Sequence, residues 1–152
     1  ARNHDEVEFW NHYLNDDDTT KNGLVDDTGN SGGLNQDAVF VVMGDLNADP
    51  VEGSGRREAI QKLLGHERVN DTQPKASKAD STERASRYNG SSDIRTKTAD
   101  FGRNGLMRVD FVVPSRKLNV IDSGVFWPPK SDPKNRWARA TDHRLVWIEV
   151  KR

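Results

Sequence analysis

The sequence predicts an α/β sandwich built as one domain. Three observations point there. Short apolar runs recur at 38–43, 106–114, 118–127 and 144–150, each about the length of a strand. Two other stretches, 4–14 and 56–64, carry apolar residues at helical spacing. The segments between them are long and polar. With 152 residues the chain can enclose one core. Its hydrophobic share is only 33% and its mean hydropathy is -0.89, so the polar excess is expected in loops.

The elements follow in order. In HDEVEFWNHYL (4–14), Val7, Trp10 and Leu14 fall on one helical face, and Asp5 and Glu6 suit a helix N-terminus. Residues 15–37 are rich in Asn, Asp, Gly, Thr and Ser and read as a polar loop. Strand 38–43 follows and ends at Gly44. RREAIQKLL (56–64) turns Ala59, Ile60, Leu63 and Leu64 inward, and Gly65 stops it. Residues 70–105 carry no clear periodicity and are expected as a long functional loop. LMRVDFVVP, LNVIDSGVFW and RLVWIEV then supply three strands. No internal repeat is evident.

Composition excludes several classes. There is no cysteine, so neither a disulfide framework nor a thiolate metal site can form. No apolar stretch reaches the length of a membrane-spanning helix. Residues 1–37 hold nine acids against Arg2 and Lys21, which leaves the rest net basic within a total charge of -1. A mildly basic body suits an anionic substrate and also an ordinary solvated surface. No signal peptide is visible. Ala1 opens inside helix-like sequence, so the natural start, with any leader, is expected upstream.

Polar groups at the strand ends carry the chemistry. Asp45 and Asn47 leave the first strand one residue apart. Asp110 interrupts an apolar strand, where a carboxylate is costly without a partner. His143 is the natural candidate, because a carboxylate fixes an imidazole's tautomer and favours its cation. An imidazolium so held is a good donor to a phosphoryl oxygen. A hard divalent cation needs carboxylate oxygens, and Asp45 and Asp142 are the acids best placed to offer them.

Taken in order, VVMGDLNADP, RVDFVVPS and TDHRLVWIEV resemble the C-terminal signature of the endonuclease/exonuclease/phosphatase superfamily. That superfamily includes DNase I-like nucleases, abasic-site endonucleases, sphingomyelinases and inositol phosphatases. GDLN matches its Gly-Asp-x-Asn, RVDFVV its Arg-x-Asp-aromatic strand, and TDH its Ser-Asp-His with Thr for Ser. TADFGRNGLMRVDFVVPS is more similar to the bacterial, often secreted branch, so a secreted or periplasmic location is slightly favoured.

The resemblance implies a metal-dependent phosphoesterase that cleaves phosphodiesters or phosphomonoesters by in-line water attack. It implies that Asp45 activates or orients the water, and that Asn47 positions it and a phosphate oxygen. His143 would stabilise transition-state charge, Asp110 would orient His143, and Asp142, with Asp45, would bind the metal. Mg2+ or Mn2+ is the expected ion, with Ca2+ a second candidate. The implied fold is half of a four-layer α/β/β/α DNase I-like sandwich, two α/β halves face to face with the site across the seam. This chain resembles the second half. The first half's strand Asn, its Glu metal ligand and its further His have no match here, and His4 and Glu6 lie on a helix and do not fill those roles. The expected partners are a phosphoester substrate (nucleic acid, nucleotide, phospholipid or sugar phosphate) and an N-terminal half or another chain covering the inner sheet face. The alternative function is a non-catalytic half-domain that binds metal and phosphate or serves assembly.

Smaller signals remain. Asp18 to Gly29 partly fits a calcium loop but lacks the closing Glu. ADFG at 99–102 mimics a kinase metal motif without its companions and is set aside. Lys75, Lys78, Arg84, Arg87, Arg95, Lys97 and Arg103 could track phosphates, with interspersed acids diluting that reading. Trp127 and Trp137 suit stacking on a base or sugar, or packing under a Pro-stiffened loop.

Overall fold

The computed structural model describes residues 2–15, 23–77 and 88–151. Helix α1 (Arg2–Leu14) buries Val7 and Leu14, as the helical spacing requires. Trp10 is only half-buried. Asn11 is fully buried instead, because its amide donates to Ala59 O at 3.0 Å and Glu8 Oε2 at 2.8 Å. That bond ties α1 to α2 (Glu58–Leu64), as does Lys62 to Glu8 at 2.6 Å. Helix α2 buries Ala59, Ile60 and Leu63, and the Gly65 N–H closes it on Gln61 O at 3.0 Å.

Strand β1 (Val41–Asp45) pairs antiparallel with β4 (Asp110–Pro114), which sets Val42 opposite Val113 and Asp45 opposite Asp110. The strand therefore lies later than the expected 38–43, and Gly44 and Asp45 belong to it. The pairing explains the shift: the chain stays bonded past Asp45, where Leu46 N–H donates to Val109 O at 2.8 Å. Gly44 has φ 142°, a region side chains rarely adopt.

Strands β2 (Ala99–Asp100) and β3 (Leu106–Met107) form a short antiparallel ribbon. Thus the end of the segment expected as a long loop has order of its own, including helical turns at Ile94–Thr96 and Gly102–Asn104. The expected strand 106–114 breaks into β3 and β4 because the N–H groups between them go to side chains. Arg108 N–H is given to Asp49, and those of Val109 and Asp110 to Thr98 Oγ1. Strand β5 (Val120–Val125) pairs antiparallel with β6 (Val146–Val150), with a bulge at Ile121, and β6 lies against β4. A one-turn helix, α3 (Asn135–Ala138), precedes β6.

The main core lies between the helices and one face of β1 and β4. Val42, Phe111 and Val113 meet Val7, Leu14, Ala59, Ile60, Leu63 and Val69 there. A second cluster joins Ala76, Leu106, Val125 and Trp127. The opposite face of β1 is open. Met43 is 66% and Val39 58% exposed, and Leu145, just before β6, is 66% exposed. No helix among the described residues is long and apolar enough to cross a membrane.

Candidate active site

The strand register assembles the site. Asp45 and Asp110 are directly opposed at the adjoining ends of β1 and β4. His143 reaches them from the segment before β6. That segment runs antiparallel to β2: Ala99 pairs with His143, Asp100 N–H donates to Asp142 O at 2.8 Å, and Arg144 N–H donates to Thr98 O at 2.7 Å. His143 Nδ1 then lies 3.0 Å from each oxygen of Asp110. The Phe101 ring packs against the imidazole in a T-shaped arrangement, with ring centroids 5.4 Å apart.

Electrostatics follow from this packing. Burial alone draws the His143 imidazole down. The hydrogen bond and charge of Asp110, with Asp45 and Asp142 further off, outweigh it and hold the pKa above the usual histidine value. The imidazole is therefore biased toward its cation, with Nδ1–H donating to Asp110 and Nε2 left for another group.

Asp45, Asp110 and His143 each offer one donor atom within 4.8 Å of the others. Asp45 is exposed, and its Oδ1 accepts Asn47 N–H at 2.9 Å, which shapes the turn that puts Asn47 at φ 48°. A carboxylate at this position fits a hard cation, since Mg2+ characteristically takes one or two protein carboxylates and keeps several waters. Asp142 is exposed and stands outside the group, with Oδ1 accepting from Thr141 Oγ1 at 3.3 Å. The sequence-selected residues thus divide. Asp45, Asp110 and His143 come together, Asn47 turns in beside Asp45, and Asp142 lies one residue beyond. A cleft of about 390 Å³ borders Asn47, lined also by Arg2, His4, Arg56 and Val109.

The remaining sequence signals resolve unevenly. His4 and Glu6 lie on α1, bonded to Asp5 and Arg2. The calcium-loop reading rests partly on Asp18, Thr20 and Asn22, which are outside the described residues. Within its described end, Asp26 is bonded to Thr28 and Asn30, which hold its carboxyl down at about 2. Of the cations in 70–105, Lys75 and Arg95 pair with Asp93, and Lys97 is buried on Asp49, so they do not form a free phosphate track. Lys78, Arg84 and Arg87 lie outside the described residues. Trp127 is buried under Arg144, which favours packing, whereas Trp137 is exposed. The sequence assigned no site role to Thr98 or Phe101. A hydroxyl and a ring in a polar, unpatterned segment give no signal until the strand pairing brings them to Asp110 and His143.

A carboxylate–imidazole pair thus stands beside a second carboxylate at adjoining strand ends of an α/β frame, a group that could hold a metal ion. The family model for the Endonuclease/Exonuclease/phosphatase family matches residues 5–143, and the chain belongs to that family. Its members are generally metal-dependent phosphoesterases. No curated protein and no solved structure matches the chain.

Proposed function

We propose that this chain carries the catalytic edge of a metal-dependent phosphoesterase that attacks phosphorus in line with water. The observation that carries the reading is the His143–Asp110 bond set directly across the strand pair from Asp45. Phosphoryl transfer asks mainly for positioning and charge neutralisation. Asp45 is the group to accept a proton from, or orient, the attacking water. Asn47 holds that water and a non-bridging phosphate oxygen through its amide. His143 donates from Nε2 to a phosphoryl oxygen as negative charge builds, and Asp110 fixes its ring and tautomer. Asp45, with Asp142 alongside, would hold Mg2+ or Mn2+, which supplies Lewis-acid neutralisation of the phosphate.

The exposed Met43 on β1, with Val39 ahead of it, supports a further part of the reading. An apolar sheet face of this kind is characteristically covered. A second α/β half or another chain on that face would add the rest of the site, and activity then belongs to the assembled molecule. The same face is what favours the second reading, a non-catalytic metal- and phosphate-binding or assembly module.

Hydrolysis of bis-p-nitrophenyl phosphate with Mg2+ or Mn2+ tests the choice. Activity that Asp45→Ala and His143→Ala each remove supports the enzyme. Inertness of the assembled protein with both metals leaves only the binding module.

A further inference from the structure

One buried ion pair lies outside this machinery. The side chains of Asp49 and Lys97 are each 1% exposed, with Lys97 Nζ 2.9 Å from Asp49 Oδ2. Four donors surround the carboxylate. Val51 and Glu52 N–H reach Oδ1 at 2.8 Å, and Arg108 N–H joins Lys97 on Oδ2 at 2.6 Å. Burial by itself raises the Asp49 carboxyl, but these donors more than reverse it and keep it ionised. The Lys97 ammonium also faces Glu52 at 3.9 Å and the Tyr88 ring at 5.7 Å.

The donors come from the segments that carry Asp45 and Asn47 and Asp110, and from the residue before Thr98, which pairs with the segment of His143. Asp49 follows Asn47 by two residues and Asp45 by four. Arg108 precedes Asp110 by two. Lys97 precedes Thr98, whose carbonyl accepts Arg144 N–H next to His143 and whose Oγ1 accepts the N–H groups of Val109 and Asp110 at 3.0 and 2.9 Å. An ion pair taken out of water adds little net stability over apolar side chains of similar volume. Its distinctive property is direction: each donor must arrive at one carboxylate at hydrogen-bond distance. A fully satisfied buried network fixes a unique arrangement in a way that apolar packing does not.

We propose that Asp49 and Lys97 are positioning residues, a buried clamp that sets Asp45 and Asn47, Asp110 and His143 in mutual register. The proposal rests on the phosphoesterase reading and adds residues that touch neither substrate nor metal. Displacing one site segment by about 1 Å is enough to cost about 100-fold in rate, and loss of supporting bonds costs metal sites about 10- to 100-fold in affinity.

The test uses the intact protein with Lys97→Met, and with the double variant Asp49→Asn/Lys97→Met, which removes both charges, in case burying Asp49 without its cation prevents folding. Melting temperature, Mn2+ affinity by calorimetry, and kcat and KM on bis-p-nitrophenyl phosphate are measured well below each melting point. The clamp predicts kcat lower by about 10- to 100-fold, KM within about threefold, and Mn2+ bound at least about tenfold more weakly. A lower melting temperature with kcat and Mn2+ affinity unchanged makes the pair structural only and overturns the inference, while loss of activity in His143→Ala keeps the phosphoesterase reading standing. If Asp45→Ala and His143→Ala leave hydrolysis and Mn2+ affinity at wild-type values, the phosphoesterase reading falls and takes the clamp with it.

Discussion

His143 Nδ1 sits 3.0 Å from both oxygens of Asp110, although 33 residues separate them. The contact raises the imidazole pKa, and its sign sets a pH dependence. If the imidazolium is the working form, activity is retained below the raised pKa and falls as pH rises through it. The basic limb of kcat is expected above the ordinary histidine value of about 6.5. Asp110→Asn is expected to move that limb down, read from kcat–pH profiles. The same contact contributes stability that is fully present below the unfolded histidine pKa and is lost as pH rises through the folded one.

Asp45→Ala and His143→Ala are each expected to lower kcat by about 100- to 1,000-fold, in line with the loss of a transition-state donor or base. Melting temperature should change little in Asp45→Ala, because Asp45 is exposed, and should fall in His143→Ala, which leaves Asp110 without its partner. Chelation by EDTA should abolish hydrolysis, and Mg2+ or Mn2+ should restore it. Asp142→Ala is expected to raise the Mn2+ concentration required for half-maximal rate more than it lowers the rate at saturation.

Packing predicts larger effects elsewhere. Ile60 and Leu63 are 0% exposed between α2 and the sheet. Ile60→Ala and Leu63→Ala should each cost about 2–5 kcal/mol, measured by denaturant unfolding. Such a loss is a large fraction of the stability of a domain this size.

Gly124 lies beneath Trp147, and a Cβ there would meet the indole at 2.8 Å. Gly124→Ala is expected to destabilise by about 1–3 kcal/mol through overpacking between β5 and β6. Trp147 fluorescence should shift as its ring is displaced.

The open sheet face gives an orthogonal prediction. Met43→Lys and Val39→Lys should leave stability within about 0.5 kcal/mol, since both side chains are already largely in water. They should weaken association with whatever covers that face, measured by light scattering or by loss of activity on reconstitution. Unchanged association would remove the case for a partner there.

Helices α1 and α2 were readable in the sequence because apolar spacing at 3.6 residues reports a buried face directly, as at Val7 and Leu14 or Ile60 and Leu63, whereas the one-turn α3 was not expected. Asn11 was not, since a polar side chain becomes a core residue only when Ala59 O stands ready to accept its amide. Strand boundaries were harder. The apolar run ending at Met43 suggested a strand that stops before Gly44, yet pairing with Phe111 and Asp110 carries β1 through Asp45. The break after Met107 depended on where three backbone N–H groups found acceptors, which no local pattern encodes.

By itself the sequence determined which residue types stand at the strand ends: Asp45, Asn47, Asp110 and Asp142–His143. Local composition is enough for that, because a carboxylate or imidazole beside an apolar run stands out wherever the chain goes. Only the tertiary structure decided which of them meet. Antiparallel register set Asp45 against Asp110, the β2 pairing carried His143 to Asp110, and Asp142 was left one residue outside the group. It also turned Asp49 and Lys97 into a buried pair that ties the segment of Asp45 to that of Asp110 and, through Thr98, to that of His143. Distance and burial are properties of the folded chain, and they decide whether a charge is solvated, paired or poised to act.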